Sequence, residues 1–222
     1  MESSSKPGRH PRAHLVAGLL VFVVMTLILG EIAEDVMNGE PLSLVDGRIN
    51  AWLHTHGSPF LTSAFLIITS LGSTIPVSFI AIVAGLYMLW RRQPYWLLAI
   101  WTTVFGGMLL NRYLKLVFYR PRPRFDDPIL ALTGYSFPSG HTMAATVLYG
   151  VLCVLLVTKV KTKPAKILII LAAGLLIALV GFSRMYLGAH YLSDVLGAMA
   201  EGLAWLSLCL ATTYSIWRHR NK

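Results

Sequence analysis

Apolar stretches long enough to cross a lipid bilayer alternate along this chain with short polar segments. A membrane-spanning helix needs about 20 mostly apolar residues. Six stretches approach that length, and they cover approximately residues 15–32, 73–90, 95–114, 141–158, 165–182 and 194–216. A shorter apolar stretch at 60–71, ended by Gly72, predicts an additional embedded or interfacial helix. The pattern predicts an all-α, polytopic membrane protein, a six-transmembrane-helix bundle formed by one domain over residues 1–222.

The composition agrees with this class. Hydrophobic residues make up 55% of the 222-residue chain, and charged residues make up only 13%. Soluble globular domains carry about 25% charged residues. We therefore expect the lipid bilayer itself to be the main environment of the protein.

The formal net charge of +9 is explained by how the basic residues are distributed. Four segments fall on one side of the predicted bundle and hold 12 of the 19 Lys and Arg residues: Lys6, Arg9, Arg12, Arg91, Arg92, Lys159, Lys161, Lys163, Lys166, Arg218, Arg220 and Lys222. Cytoplasmic loops carry an excess of Lys and Arg. We therefore expect a multi-pass protein of the plasma (inner) membrane with both termini in the cytoplasm, and no nucleic-acid partner.

One basic segment lies on the opposite, extracytoplasmic side of the predicted bundle. Residues 111–127 follow the third span and read NRYLKLVFYRPRPRFDD. Charged groups close to the membrane core are costly and usually functional. We interpret this segment as part of a site that binds an anionic ligand.

Three short stretches carry the remaining unusual polar residues. They are residues 115–123, which begin with Lys115 and end in Arg122-Pro123, the tetrapeptide Pro-Ser-Gly-His at 138–141, and residues 183–194. In the six-span topology, all three lie at the extracytoplasmic ends of helices 3–6. Distant parts of the sequence thus place two histidines, an aspartate and several cations on one face of the membrane.

These residue types suit the hydrolysis of a phosphate ester, which requires charge neutralisation, an in-line nucleophile and a proton for the leaving oxygen. Lys115, Arg122 and Arg184 can bind phosphate oxygens, the arginines through two N–H groups at once. Ser139 and Gly140 begin the fourth span, where free backbone N–H groups and the helix dipole favour an anion.

Two histidines can supply the nucleophile and the acid. His190 and Asp194 are four residues apart, so they lie on one face of a helix. A hydrogen bond from one ring nitrogen to Asp194 would fix the tautomer and leave the other nitrogen free to attack phosphorus. His141, at the start of the fourth span, would then be the general acid.

Each stretch also has a purely structural interpretation. Lys115 and Arg122 could anchor a helix at the membrane surface, Ser139 and Gly140 could only cap a helix, and the His190–Asp194 pair could bridge two helices. The combination of all three on one face favours a functional site. A structural role is favoured for Arg120, Arg124 and Glu201, and the role of Ser183 stays open.

With these motifs and spacings, the sequence resembles the type 2 phosphatidic acid phosphatases, and the match extends from residue 115 to residue 194. The resemblance implies a six-helix phosphatase that uses no metal or other cofactor. Its substrate would be a membrane lipid phosphate or diphosphate, such as phosphatidylglycerophosphate, undecaprenyl diphosphate or phosphatidic acid. By the same resemblance, His190 would form a phosphohistidine, Asp194 would support it and His141 would be the acid. The implied phosphate ligands are Lys115, Arg122, Ser139, Gly140 and Arg184.

Two other functions use similar residues. A lipid-phosphate transporter or flippase could hold a headgroup with the same cations, but it has no need for a His–Asp pair opposite a second histidine. A metal-dependent hydrolase could use two histidines and an aspartate as ligands. Three cations beside these ligands would repel the metal ion.

Overall fold

The computed structural model describes residues 11–39 and 41–220, and this part of the chain is helical, with no β-strand. The helices are α1 (Pro11–Asn38), α2 (Pro41–Thr55), α3 (Pro59–Ser70), α4 (Thr74–Trp90), α5 (Pro94–Trp101), α6 (Gly107–Phe118), α7 (Gly140–Lys159), α8 (Lys163–Tyr186) and α9 (Leu192–Arg220). A π-helical turn, Thr102–Gly106, joins α5 to α6 without a break.

Six helical stretches are long and apolar enough to cross a membrane, which confirms the predicted number of spans. They are Leu15–Asn38, Pro59–Trp90, Pro94–Phe118, Gly140–Lys159, Lys163–Tyr186 and Leu192–His219. The predicted short helix at 60–71 exists as α3, but it joins α4 in a single candidate span that is interrupted only at residues 71–73. The first and third spans also extend further than predicted, to Asn38 and Phe118.

The core of the bundle forms around α7, which packs against α8, α9 and α6. Its side chains from Thr142 to Leu148 are buried. They meet buried apolar side chains of α4, α5 and α9, among them Val77, Ile100 and Ala198. α1 lies along α9 at the edge of the bundle.

Large apolar side chains also cover the outside of the bundle. Phe60, Ile75 and Trp90 are 74–82% exposed, and many leucines and valines of α1 and α8 are exposed with them. A soluble monomer rarely exposes so much contiguous apolar surface. Lipid chains are the environment that such a surface fits.

The alternating direction of the spans brings specific helix ends together. The C-terminal ends of α6 and α8, the N-terminal ends of α7 and α9, α2 and the loop 119–139 all lie at one end, which we call the site end. The loops at 91–93 and 160–162 lie at the opposite end, where Lys159 Nζ donates to Gln93 Oε1 at 3.0 Å. Lys6, Arg9 and Lys222 of the predicted cytoplasmic segments lie outside the described residues.

Local sequence sets the helix boundaries at the site end. α6 ends where Tyr119 adopts a left-handed conformation with φ 48°, and Pro121 then prevents the helix from continuing. α7 begins after Pro138, with Ser139 as its extended N-cap residue. The chain between them therefore forms a loop over the end of the bundle.

Gly72 allows the turn between α3 and α4 to lie against the start of α7. A Cβ atom added at Gly72 would lie 2.7 Å from the carbonyl oxygen of His141 and 2.6 Å from Cγ1 of Val180. Because a backbone oxygen cannot rotate away, any side chain here must displace the start of α7.

We expect Gly72→Ala to destabilise the protein by about 1–3 kcal/mol, the usual range for overpacking a tight contact. Gly174→Ala on α8 is the matched control, because no atom lies within 4 Å of its added Cβ. The measurement is thermal unfolding of both variants in the same detergent. Equal melting temperatures for Gly72→Ala and the wild type would contradict this packing.

Candidate functional site

The structure brings every predicted site residue to the site end. Lys115 comes from the last turn of α6, and Arg122 from the loop that follows. Residues 139–141 form the start of α7, and Arg184 lies in the last turn of α8. His190 lies in the turn between α8 and α9, and Asp194 lies in the first turn of α9.

His190 lies at the centre of this group and is only 2% exposed. Its Nδ1 lies 3.3 Å from Asp194 Oδ2, and its Nε2 lies 3.2 Å from Nη1 of Arg122. An arginine can only donate hydrogen bonds. Nε2 must therefore carry the lone pair and Nδ1 the proton, which is donated to Asp194.

Burial lowers the pKa of His190 to about 4, although Asp194 opposes this shift. The imidazole is therefore neutral at neutral pH. Its Nε2 lone pair, aimed at the arginine, is the most nucleophilic group at the centre of the site.

Asp194 is completely buried and accepts hydrogen bonds at both carboxylate oxygens. Oδ2 accepts from the backbone N–H of Tyr191 at 2.9 Å, in addition to the bond from His190. Oδ1 accepts from Arg120 Nη1 at 2.7 Å and from the hydroxyl of Ser136 at 3.4 Å. These contacts hold the carboxylate in one orientation relative to the imidazole.

Three cations of the site lack a carboxylate partner within the described part of the chain: Lys115, Arg122 and Arg184. Lys115 Nζ instead donates to the carbonyl oxygens of Tyr135 and Ser136, both at 3.0 Å. Arg122 donates to the carbonyl oxygen of Ala189 at 2.9 Å. Burial, only partly offset by Asp194, lowers the pKa of Arg122.

Arg184 is the most deeply buried of these cations, with 4% exposure. One of its terminal nitrogens donates to the hydroxyl of Thr69 on α3 at 2.9 Å, and its Nε has no partner in the described structure. A buried guanidinium with unused donors is costly unless an anion binds to it. An anion is the kind of ligand that this group of cations suits.

The start of α7 differs in one respect from the sequence prediction. The backbone N–H of Ser139 is not free, because it donates to the carbonyl oxygen of Asp194 at 3.0 Å. The Ser139 hydroxyl accepts from Thr142 at 2.9 Å. Ser139 thus ties α7 to α9, while Gly140 and His141 provide the first N–H groups that the helix itself leaves unpaired.

The ring of His141 is half-buried and makes no hydrogen bond with the residues that the structure describes. It lies within electrostatic range of Arg184, His190, Arg122 and Lys115. The second histidine is thus beside the anion site and free to contact a bound molecule.

The structure also shows the contacts of the polar residues to which the sequence assigned no catalytic or binding role. Arg120, for which a structural role was favoured, donates directly to Asp194 at 2.7 Å. The Ser183 hydroxyl bonds to the carbonyl oxygen of Val180 in its own helix. Glu201 is buried and accepts from Asn111 at 2.8 Å, and Arg124 is exposed.

Polar residues outside the three motifs also reach the site. Asp46 and Asn50 of α2 contact Arg120 and the backbone of His190, respectively. Their spacing of four residues, with His54 four further on, is the one signal in the sequence that could have indicated a polar face of α2. Among the described residues, no three His, Cys, Asp or Glu side chains lie together in a way that could hold a metal ion.

Comparison with known proteins relates this arrangement to one family. The family model of the PAP2 superfamily matches residues 95–218. Phosphatidylglycerophosphatase B of Bacillus subtilis is 35% identical over 166 residues, which are 74% of this chain and 81% of that protein. Human sphingosine-1-phosphate phosphatase 2 is 32% identical over 136 residues, which are 58% of this chain but only 32% of that protein.

A solved structure agrees over most of the chain. The crystal structure of the transmembrane PAP2 type phosphatidylglycerolphosphate phosphatase from Bacillus subtilis superposes with a TM-score of 0.77 and 30% sequence identity. The match covers 88% of this chain and 96% of that one. This chain therefore belongs to the PAP2 superfamily, the type 2 phosphatidic acid phosphatases that its three motifs resemble.

Proposed function

We propose that this protein is an integral-membrane lipid phosphatase that hydrolyses a phosphomonoester or diphosphate through a phosphohistidine intermediate, without a cofactor. One observation carries the proposal. A neutral, buried His190 presents its Nε2 lone pair to Arg122, one of three cations at the site end without a carboxylate partner among the described residues. Cations alone would suit a binding protein, whereas an oriented nucleophile among them suits phosphoryl transfer.

The first step is binding of the phosphate group. Its oxygens would accept hydrogen bonds from Lys115, Arg122 and Arg184, and from the backbone N–H groups of Gly140 and His141. Lys115 and Arg122 now bond only to carbonyl oxygens and to His190. A charged phosphate oxygen is a stronger acceptor than any of these, so substrate draws Arg122 away and frees Nε2.

The second step is nucleophilic attack. The Nε2 lone pair of His190 forms a bond to phosphorus as the bond between phosphorus and the lipid oxygen breaks. His141 donates a proton to that oxygen, so the lipid leaves as an alcohol. Asp194 keeps its hydrogen bond to Nδ1–H and stabilises the positive charge of the phosphorylated ring.

The third step releases phosphate. A water molecule attacks phosphorus, His141 removes its proton, and the bond between phosphorus and Nε2 breaks. For a phosphomonoester, the overall reaction consumes one water and gives a lipid alcohol and inorganic phosphate. For a diphosphate, the leaving group protonated in the second step is the lipid monophosphate, and the products are that monophosphate and inorganic phosphate. His190 and His141 both return to their starting protonation states.

The names of the relatives and the surroundings of the site support a lipid phosphate as the substrate. The Bacillus relative is named for phosphatidylglycerophosphate, and the human relative for sphingosine 1-phosphate. A pocket beside Arg122 is lined by apolar side chains, including Phe125, Leu130 and Leu187. We propose phosphatidylglycerophosphate, undecaprenyl diphosphate and phosphatidic acid as the candidate substrates.

We also propose that the site end faces the extracytoplasmic side, with both termini in the cytoplasm. The basic loops at 91–93 and 160–162 lie at the opposite end, and the excess of Lys and Arg favours the cytoplasm for that end. In this proposal the spans work as one phosphatase domain.

We expect purified protein to release phosphate in EDTA from at least one member of a panel: phosphatidylglycerophosphate, undecaprenyl diphosphate, phosphatidic acid and diacylglycerol diphosphate. The reason is that Lys115, Arg122 and Arg184 neutralise the phosphate themselves. His190→Ala is the matched inactive control. No release from any lipid would favour a transporter, and activity restored only by added magnesium or zinc would favour a metal-dependent hydrolase.

The orientation predicts which residues an impermeant thiol reagent can reach. In a background with Cys153 and Cys209 replaced by alanine, Pro128→Cys in the site-end loop should be labelled on intact cells. Thr162→Cys, exposed at the opposite end, should be labelled only after the membrane is permeabilised. The reverse pattern would overturn the proposed orientation.

A further inference from the structure

A polar face of α2 lies directly behind the His190–Asp194 pair. Asp46, Asn50 and His54 are four residues apart and therefore lie on one side of this helix. Asp46 and Asn50 are buried, with 0% and 3% exposure. A buried carboxylate on a short helix needs partners that explain its place.

The hydrogen-bond partners of Asp46 lie in the region that carries the three motifs, residues 115–194. Its Oδ2 accepts from Arg120 Nη2 at 2.8 Å, and its Oδ1 accepts from the backbone N–H of Ser193 at 3.0 Å. It also accepts from the Ser193 hydroxyl. Ser193 lies in the first turn of α9, where N–H groups have no helical partner and negative charge is favoured.

Arg120 joins this carboxylate to the one that holds the catalytic histidine. Its Nη2 bonds to Asp46, and its Nη1 bonds to Asp194 at 2.7 Å and to the Ser193 hydroxyl at 2.6 Å. Its side chain is only 10% exposed, and its guanidinium carbon lies 4.3 Å from the centre of the Tyr191 ring. Burial alone would lower the pKa of Arg120, but Asp194 and Asp46 outweigh it and raise the pKa.

A second contact from α2 reaches the histidine itself. The side-chain amide of Asn50 donates to the carbonyl oxygen of His190 at 3.3 Å. The helix thus contacts this segment at two points, at Ser193 through Asp46 and at the backbone of His190 through Asn50. Both residues precede the region matched by the family model, which begins at residue 95.

We infer that Asp46 and Arg120 are positioning residues for catalysis: they form a charged bridge that fixes the Asp194 carboxylate, and through it the tautomer and direction of His190. This inference rests on the proposed function, because it assigns the groups that orient its nucleophile. Both terminal nitrogens of Arg120 bond to carboxylates, so we do not assign it as a fourth phosphate ligand.

The charge pattern supports a positioning role. The negative charge of Asp46 offsets the positive charge of Arg120, and Arg120 still donates a strong hydrogen bond to Asp194. The three phosphate-binding cations are not involved in this bridge, so their positive charge remains available to phosphate. Arginine suits this place because its planar group can bond to two carboxylates at fixed angles, which a lysine cannot do.

A double-mutant cycle tests the bridge. The variants are Asp46→Asn, Asp194→Asn and the two combined, with Arg48→Gln on the exposed side of α2 as control. The readouts are kcat, KM and melting temperature on the panel lipid that the wild type hydrolyses fastest. Groups that orient a functional histidine from behind typically contribute about 10–100-fold.

We expect Asp46→Asn to lower kcat about 10–100-fold at nearly unchanged KM, because the phosphate ligands are untouched. Asp194→Asn should lower kcat by about 10⁴-fold, as for orienting carboxylates elsewhere. Because Asp46 acts through Asp194, the combined variant should be little worse than Asp194→Asn alone. Arg48→Gln should match the wild type.

A second variant covers the case in which Asp46→Asn does not fold. Arg120→Lys keeps the charge but cannot bond to both carboxylates, so it should also lose kcat at unchanged KM. Arg124→Lys, in the same loop but exposed, is its control and should match the wild type. If neither Asp46→Asn nor Arg120→Lys gave folded protein, the bridge would be a folding element and the positioning role would be overturned.

The outcomes separate this inference from the proposed function. Wild-type turnover in Asp194→Asn would overturn the phosphohistidine mechanism itself. Loss of turnover in Asp194→Asn with wild-type kcat in Asp46→Asn and Arg120→Lys would overturn only the bridge. Fully additive losses in the cycle would also overturn it, because Asp46 would then act independently of Asp194.

Discussion

Three cations at one end of this helical bundle have no carboxylate partner among the described residues. Arg184 is almost fully buried, and neither it nor Lys115 nor Arg122 meets a carboxylate among the described residues. Burying a cation away from water and counter-charge is unfavourable, so binding of an anion next to these cations is favourable. In the function that we propose, the anion is a phosphate group, and the same cations neutralise the charge of the transition state.

The acids near the site are arranged so that they do not cancel this charge. Asp194 accepts hydrogen bonds from Arg120 and His190, and Asp46 accepts them from Arg120 and Ser193. Glu201 accepts a hydrogen bond from Asn111. In the function that we propose, the site therefore separates into a layer that binds phosphate and a layer behind it that orients the histidine. α2 belongs to the second layer, which explains why a short polar helix packs into an otherwise apolar bundle.

The sequence predicted the six spans, and it predicted which polar residues meet at the site end, for physical reasons. Bilayer thickness sets the length of apolar stretches, and motif spacing encodes which residues share a helix end. The orienting layer could not be predicted, because Asp46 meets Ser193 across almost 150 positions. Nor could spacing tell which arginine of the segment RPRPR bonds to Asp194, since the loop conformation decides that Arg120 reaches this carboxylate and that Arg124 is exposed.

The central claim is that His190 forms a covalent bond to phosphorus and that His141 acts on the oxygens around it. The most direct measurement is an acid-labile, base-stable phosphate on the protein, located by mass spectrometry after rapid quench with an aryl phosphate. An aryl leaving group needs little protonation, so His141→Ala should still be phosphorylated, and without a base for the water it should accumulate phosphate on His190. His190→Ala should carry none. Phosphate on His141 in the His190→Ala variant, or no covalent phosphate in His141→Ala while it still turns over, would contradict the assigned roles.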